Sequence, residues 1–215
     1  MERHLPACGG VVFDDQGYLS RFLAQAAEEE ETIAEMTFLH LRFGPAELRG
    51  LEFAHCRFEG CSFAGCRMDR LYLKESVLEQ CDLSGWAAAD ATFASVVWQD
   101  CRLSGAQLSG SVFRDCALER CAADYLSLSG CTLRGCAFSD CRMPEAFFDG
   151  CRPTRLRLSG CLLTGSDFTG TPLKGIDLTD DEIDGLRVAG PELRGAIVNP
   201  AQACELARLL GVVIR

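Results

Sequence analysis

Residues 51–85 read LEFAH CRFEG CSFAG CRMDR LYLKE SVLEQ CDLSG when they are written in fives. The middle letter of every block is Phe, Met or Leu, and the first is Leu, Cys or Ser. Extended in both directions, the same phase runs from Met36 to Pro200 as 33 blocks with no insertion or deletion. The third position is large and apolar in 30 of the 33, the exceptions being Ala88, Ala123 and Pro153. Ten of the chain's 13 phenylalanines and 12 of its 14 cysteines fall into the third and first positions, respectively. Of the 39 charged residues in this region only Asp181 stands at a first or third position. Burying an unpaired charge is costly, so these two positions face inward, and the second, fourth and fifth face water.

A period of five is neither the 3.6 of a helix nor the 2.0 of a strand. Within a block, however, the two inward positions are two residues apart, which is the alternation of extended chain. The fifth position is frequently Gly or Asp, residues suited to a turn. Each block is therefore a short extended side followed by a corner, and repetition of the corner gives a coil that stacks on itself as a parallel solenoid.

Blocks such as CDLSG (81–85), CTLRG (131–135), SDFTG (166–170) and IDLTD (176–180) resemble the pentapeptide-repeat family. The resemblance implies an all-β solenoid, a right-handed quadrilateral β-helix with four blocks per coil, about eight coils and helical caps at both ends. Residues 20 apart then stack, and at about 4.8 Å per coil the rod is about 40 Å long. One interior column is Cys61, Cys81, Cys101, Cys121, Cys141 and Cys161. Another is Phe38, Phe58, Leu78, Trp98, Leu118, Phe138, Leu158 and Leu178. The thiols form a ladder with no His beside them, and a free Cys behaves as a small buried hydrophobe, so the ladder is structural. Departures from the pattern are Trp86, Asp181 and Pro191 at first positions and Pro153 at a centre, each expected to distort a local corner without breaking register.

The ends break the repeat and divide the chain into three parts: 1–35, 36–200 and 201–215. In the first, Leu19, Phe22, Leu23 and Ala26 are at helical spacing within Tyr18–Glu31, an amphipathic cap over the open first coil that carries an acidic tail. A partner-binding arm is the alternative reading. In the last, Asn199 suits a helix N-cap, Pro200 the first turn and Gly211 the stop, and Val212, Val213 and Ile214 read as a short strand. The stretch AQACELARLLGVVI (201–214) resembles the C-terminal end of Qnr-type proteins. That resemblance implies a homodimer through Leu206, Leu209, Leu210, Val212, Val213 and Ile214.

Composition sets further bounds. The 215 residues carry a net charge of −10, which disfavours direct nucleic-acid binding. No apolar run approaches the roughly 18 residues of a membrane helix. Leu5–Cys8 (LPAC) resembles a lipoprotein cleavage box but has almost no hydrophobic segment before it, so a cytoplasmic location is expected. The histidines, His4, His40 and His55, belong to no recognisable nucleophile constellation. No phosphate-binding glycine loop is present, and a filled narrow coil leaves no pocket. The expectation is a protein that is not an enzyme and uses no cofactor or metal.

The Qnr-like resemblance implies a DNA mimic that binds a type II topoisomerase, DNA gyrase or topoisomerase IV, and protects it from poisoning antibiotics. Within the repeat region the acidic excess lies in residues 158–200, where Asp167, Asp177, Asp180, Asp181, Glu182, Asp184 and Glu192 face three basic residues. A dimer would place them at its centre as an acidic partner-binding surface. Arg114, Arg134, Lys174 and Arg194, spaced in multiples of 20, project from another side. The alternative function is a scaffold or protein-interaction module with no topoisomerase role.

Overall fold

The computed structural model describes residues 9–44, 46–209 and 211–214. Two short lead elements, β1 (Val11–Phe13) and α1 (Gln16–Glu28), precede the coils. Pairs of strands then recur once per coil: β2 (Thr32–Ala34) and β3 (Met36–Leu39), β4 (Glu52–Ala54) and β5 (Arg57–Glu59), β6 (Tyr72–Lys74) and β7 (Val77–Glu79). They continue as β8 (Thr92–Ala94) and β9 (Val97–Gln99), β10 (Val112–Arg114) and β11 (Ala117–Glu119), β12 (Thr132–Arg134) and β13 (Ala137–Ser139), and β14 (Arg152–Thr154) and β15 (Arg157–Ser159). The chain ends in α2 (Pro200–Leu209).

The even strands form one seven-stranded sheet and the odd ones an eight-stranded sheet, all parallel and, from β2 onward, in a 20-residue register such as Phe93 on Phe113 and Leu118 on Phe138. These are the first and second sides of a four-sided coil. The third and fourth sides pair through single rungs, for example Asp82 with Arg102 and Ala87 with Gln107. The strand-bearing part makes about six turns. Beyond β15 the expected remaining coils continue without strands, through rungs such as Leu162 with Glu182 and Asp177 with Ile197.

Corners are made by the fifth residue of a block, which adopts a left-handed conformation (φ +63° at Gly85, +53° at Asp100). That conformation costs a residue with a Cβ about 1–2 kcal/mol, which explains the Gly and Asp bias. Inside, the predicted aromatic column is continuous: Phe38 stacks on Phe58 with centroids 4.9 Å apart, and Trp98 lies in register between Leu78 and Leu118. Trp86, Trp98, Phe93 and Phe113 are fully buried. One set of outward positions departs from the rule: Val77, Val97 and Ala117 stack along the second side and are buried against one another.

Both ends differ in detail from the sequence reading. The repeat register starts before residue 36, since β2 already pairs with β4, Ile33 opposite Phe53. The block ETIAE departs from the pattern because a charged residue, Glu31, stands at its first position. β1 adds a further strand on β3, Val11 opposite Met36, an offset of 25 that makes room for α1. Asp15 caps α1 by accepting the N–H groups of Gly17 and Tyr18, so that the helix begins ahead of the expected Tyr18, and Leu19, Leu23 and Ala26 close the first coil. At the other end Asn199 and Gln202 form a reciprocal capping box, each side-chain oxygen accepting the other's backbone N–H (3.0 and 2.9 Å). The Gln202 amide also donates to the carbonyls of Leu178 and Asp181, which fixes α2 to the last coil. Val212–Ile214 do not form the expected strand. A strand exists only beside a pairing partner and none runs alongside among the described residues. Instead the N–H groups of Gly211 and Val212 return to the Arg208 and Ala207 carbonyls and stop the helix.

Phe93 fills the axis between Trp86, Trp98 and Phe113. Phe93→Ala should therefore cost about 3–5 kcal/mol, read as a lowered urea midpoint, whereas Thr92→Ala on the outer face should leave it nearly unchanged.

Candidate interaction surfaces of the C-terminal third

The six thiols of the ladder, Cys61 to Cys161, are all buried and free. Each Sγ donates to a carbonyl: Cys101 to Leu78 and Gln99 (both 3.3 Å), Cys81 to Phe58 and Glu79 (both 3.4 Å). Neighbouring thiols also bond to one another. The bond from Cys81 holds Cys61 below the usual thiol range, while the bond to Cys141, then burial, raises Cys161. In the other columns burial pushes Cys131 and Cys151 up to about 12. A raised pKa suppresses the thiolate, which is the reactive form. Among the described residues no group of three or more His, Cys, Asp and Glu gathers to hold a metal ion. Cys204, on α2, is exposed.

The seven acidic residues are not one surface. Asp181 and Glu192 are buried, which corrects their assignment to the partner-binding face. Asp181 stands at an inward first position, where Oδ1 accepts the Cys161 N–H (2.7 Å). Glu192 turns in to accept the Gly170 N–H (2.8 Å). Asp167, half-buried, faces Arg187 at 3.6 Å and is neutralised. Asp177, Asp180, Glu182 and Asp184 remain exposed. All four belong to residues 176–185, so they form a band around half a coil and not a ridge along the rod. Arg114, Arg134, Lys174 and Arg194 are exposed on the first side, with Arg114 and Arg134 in direct register.

Of the residues expected at a dimer interface, Leu206 is buried beneath α2 against the last coil and cannot contact a partner, because it seals the open end of the core. Leu209, Val212, Val213 and Ile214 are exposed, Val213 to 81%. Leu210 lies outside the described residues, as do His4 and the Leu5–Cys8 stretch. Ile197, on the last coil, adds a further exposed apolar side chain (47%) that the repeat pattern did not single out.

A seam crosses the first and second sides between the coils at 151–160 and 171–180. Elsewhere on the second side, the N–H at each second position donates to a carbonyl of the coil before it, as Ala117 does to Val96 and Arg157 to Cys136. The N–H at each fifth position donates to the coil that follows, as Asp140 does to Ser159. Among the described residues the next members, Asp177 to Leu156, Gly160 to Thr179 and Arg155 to Lys174, do not form. On the first side the cause lies in two prolines. Pro153 and Pro172 have no N–H, and both stand where the first side needs one. The third and fourth sides stay closed, with Glu182 donating to Cys161 and Leu163 to Glu182. Register survives, as expected of Pro153, but the disturbance reaches two whole sides and not one corner. The seam opens into a hollow of about 660 Å³ lined by Arg157, Leu158, Asp177 and Asp180, and a smaller one of about 170 Å³ beside Pro153 and Pro172. The filled-coil reading holds for the axis but missed this gap between coils.

Residues 51–128 match the family described as a pentapeptide repeat region, and residues 154–180 match pentapeptide repeats (8 copies). No curated protein sequence matches the chain significantly. Among solved structures, a trypsin-treated variant of QnrB1, a plasmid-mediated fluoroquinolone resistance protein, is 24% identical over 97% of this chain and 98% of that one, with a TM-score of 0.48. HetL of Nostoc sp. strain PCC 7120, a pentapeptide-repeat protein involved in heterocyst differentiation regulation, is 19% identical over 85% and 96%, with a TM-score of 0.31. Rfr23 of Cyanothece 51142 is 14% identical over 84% and 99%, with a TM-score of 0.18. Among the described residues no helix is long and apolar enough to cross a membrane.

Thiol labelling with an aromatic disulfide, followed by peptide mapping, should modify Cys204 within minutes in the native protein. The buried cysteines from Cys56 to Cys161 should stay unlabelled until denaturant is added.

Proposed function

We propose, on the premise that the chain is a pentapeptide-repeat protein, that it acts without catalysis as a dimeric rod that binds a partner's DNA-binding surface. The partner proposed is a type II topoisomerase, DNA gyrase or topoisomerase IV, which the rod would shield from topoisomerase-poisoning antibiotics. The observation that carries the reading is the coincidence, at one end, of an uncovered apolar patch and a band of free carboxylates. Leu209, Val212, Val213, Ile214 and Ile197 present apolar side chains to water around α2. Asp177, Asp180, Glu182 and Asp184 lie one coil away. Pairing two copies through the patch covers it and brings eight carboxylates towards one junction. That concentrates negative charge where a surface built for a duplex, with one charge per about 1.7 Å, would accept it. QnrB1 is a fluoroquinolone resistance protein, and a protective role of that kind falls within this proposal.

A second reading, an interaction module with no topoisomerase role, is favoured by the charge layout. The band runs around the coil and Asp167 is neutralised by Arg187, so there is no long acidic stripe among the described residues.

Two measurements separate these readings. Sedimentation should give a dimer for the full chain and a monomer for Val213→Glu. In a supercoiling and cleavage assay, micromolar full-length protein should reduce drug-trapped cleavage in a salt-sensitive way, and the quadruple Asp/Glu→Asn/Gln variant at 177, 180, 182 and 184 should lose most of that effect. No effect of the unaltered protein, with or without the drug, leaves only the second reading.

A further inference from the structure

Hydroxyl side chains at first positions stitch successive coils together, three of them by a two-bond pattern, while Ser76 accepts from Cys56, 20 back, and donates to the Lys74 carbonyl of its own coil (2.7 Å). Ser111 Oγ accepts the Ala91 N–H (3.0 Å), 20 residues back, and donates to the Ala88 carbonyl (3.1 Å), 23 back. Ser166 does the same with Ala146 and Met143 (3.2 and 2.8 Å). Thr171 repeats it with Cys151 and Phe148. Many buried thiols make the second of these bonds, as Cys161 does to Phe138 at 3.4 Å, and many also or instead donate to the carbonyl two residues back, as Cys141 does to Ser139.

Asp181 occupies the next such position. It makes the first bond, with Cys161, 20 residues back. Its Oδ2 is buried and has no partner. The residue 23 back is Leu158, in β15 at the edge of the seam, and its carbonyl is the acceptor the pattern assigns. An ionised carboxylate has no proton to give, whereas a carboxylic acid donates one O–H. We propose that Asp181 is a proton-operated latch on the seam. When protonated at Oδ2 by solvent it donates to the Leu158 carbonyl and draws the coil at 171–180 onto β15. When ionised it leaves the seam open.

The surroundings favour proton uptake. From its own coil Asp181 faces Asp180 and Asp177, and from the coil before it the Cys161 backbone. From α2 it meets the neutral Gln202 amide, bonded to its backbone carbonyl. It takes part in no ion pair among the described residues. Burial, then its two acidic neighbours, raises it from 3.8 to about 6. The latched form binds the proton more tightly than this open one, so latching is complete below about 6 and is lost as the pH rises above it.

The test is hydrogen exchange at Leu158, Gly160 and Asp177 in the full chain, corrected for intrinsic rates, at about pH 5 and pH 7.5. Unaltered protein should lose about tenfold or more protection at the higher pH, each unit of pKa displacement being a factor of ten. Asp181→Asn and Asp181→Ser can both accept and donate, and should be protected equally at both values. Asp181→Ala should be unprotected at both. A flat profile in the unaltered protein overturns the latch. So does equal protection in the Ala and Ser variants, since relief of a buried charge alone would make all three substitutions equivalent.

Discussion

Outside the seam, each coil is tied to the next by the same few backbone hydrogen bonds, an N–H of one coil reaching a carbonyl of its neighbour at a constant separation along the chain. This fixed offset is the constraint from which the rest of the molecule follows. It allows no insertion, because one extra residue would move every side chain of the block to the wrong face. It also brings like onto like, so each inward position must tolerate its own kind above and below. Phenylalanine and leucine do so by stacking, and cysteine does so because it is small and its thiol can return a bond to the coil beneath. A charged residue does not, and the near absence of charge from these positions is what makes the axis dry.

The first position shows how closely the offset controls chemistry. Thiol, hydroxyl and carboxyl groups occupy equivalent places and face equivalent backbone groups. The hydroxyls of Ser111 and Ser166 satisfy a donor and an acceptor at once. The thiols satisfy the acceptor. Asp181 satisfies only the donor, and its second oxygen is buried without a partner. One geometry thus gives three outcomes, decided by whether the side chain brings a proton.

Much of this was legible in the amino-acid order. The coil, its 20-residue stacking, the buried columns and the Asn199–Gly211 helix follow from spacing and from well-understood end residues. What escaped reading depends on contacts the repeat does not encode. β1 pairs at an offset of 25 set by the length of α1, which no periodicity announces. Glu192 reads as exposed from its place in a block, yet Pro191 opens a short 3-10 turn that swings its carboxylate onto the Gly170 N–H. Leu206 and Leu209 look alike on an apolar stripe, and only docking of α2 through Gln202 decides that the first is covered and the second is not. The seam needed Pro153 and Pro172 to be seen together, because either alone removes a single rung.

The seam also bears on why the acidic residues are where they are. Asp177, Asp180, Glu182 and Asp184 share one coil, and like charges so close together weaken compact packing. A coil held by full ladders on all four sides would resist that repulsion and transmit it to its neighbours. Here two sides are already released, while the third keeps register through Glu182 and Leu163 and the fourth through Arg187 and Phe168. The coil that carries the most free charge is therefore the one with the fewest rungs to strain. It lies directly beneath the helix cap, where Gln202 ties the carbonyls of Leu178 and Asp181 to α2. A band of exposed carboxylates, loosened pairing and an uncovered apolar end meet in the same third of the rod, beyond a run of coils, residues 36–157, that is nearly neutral.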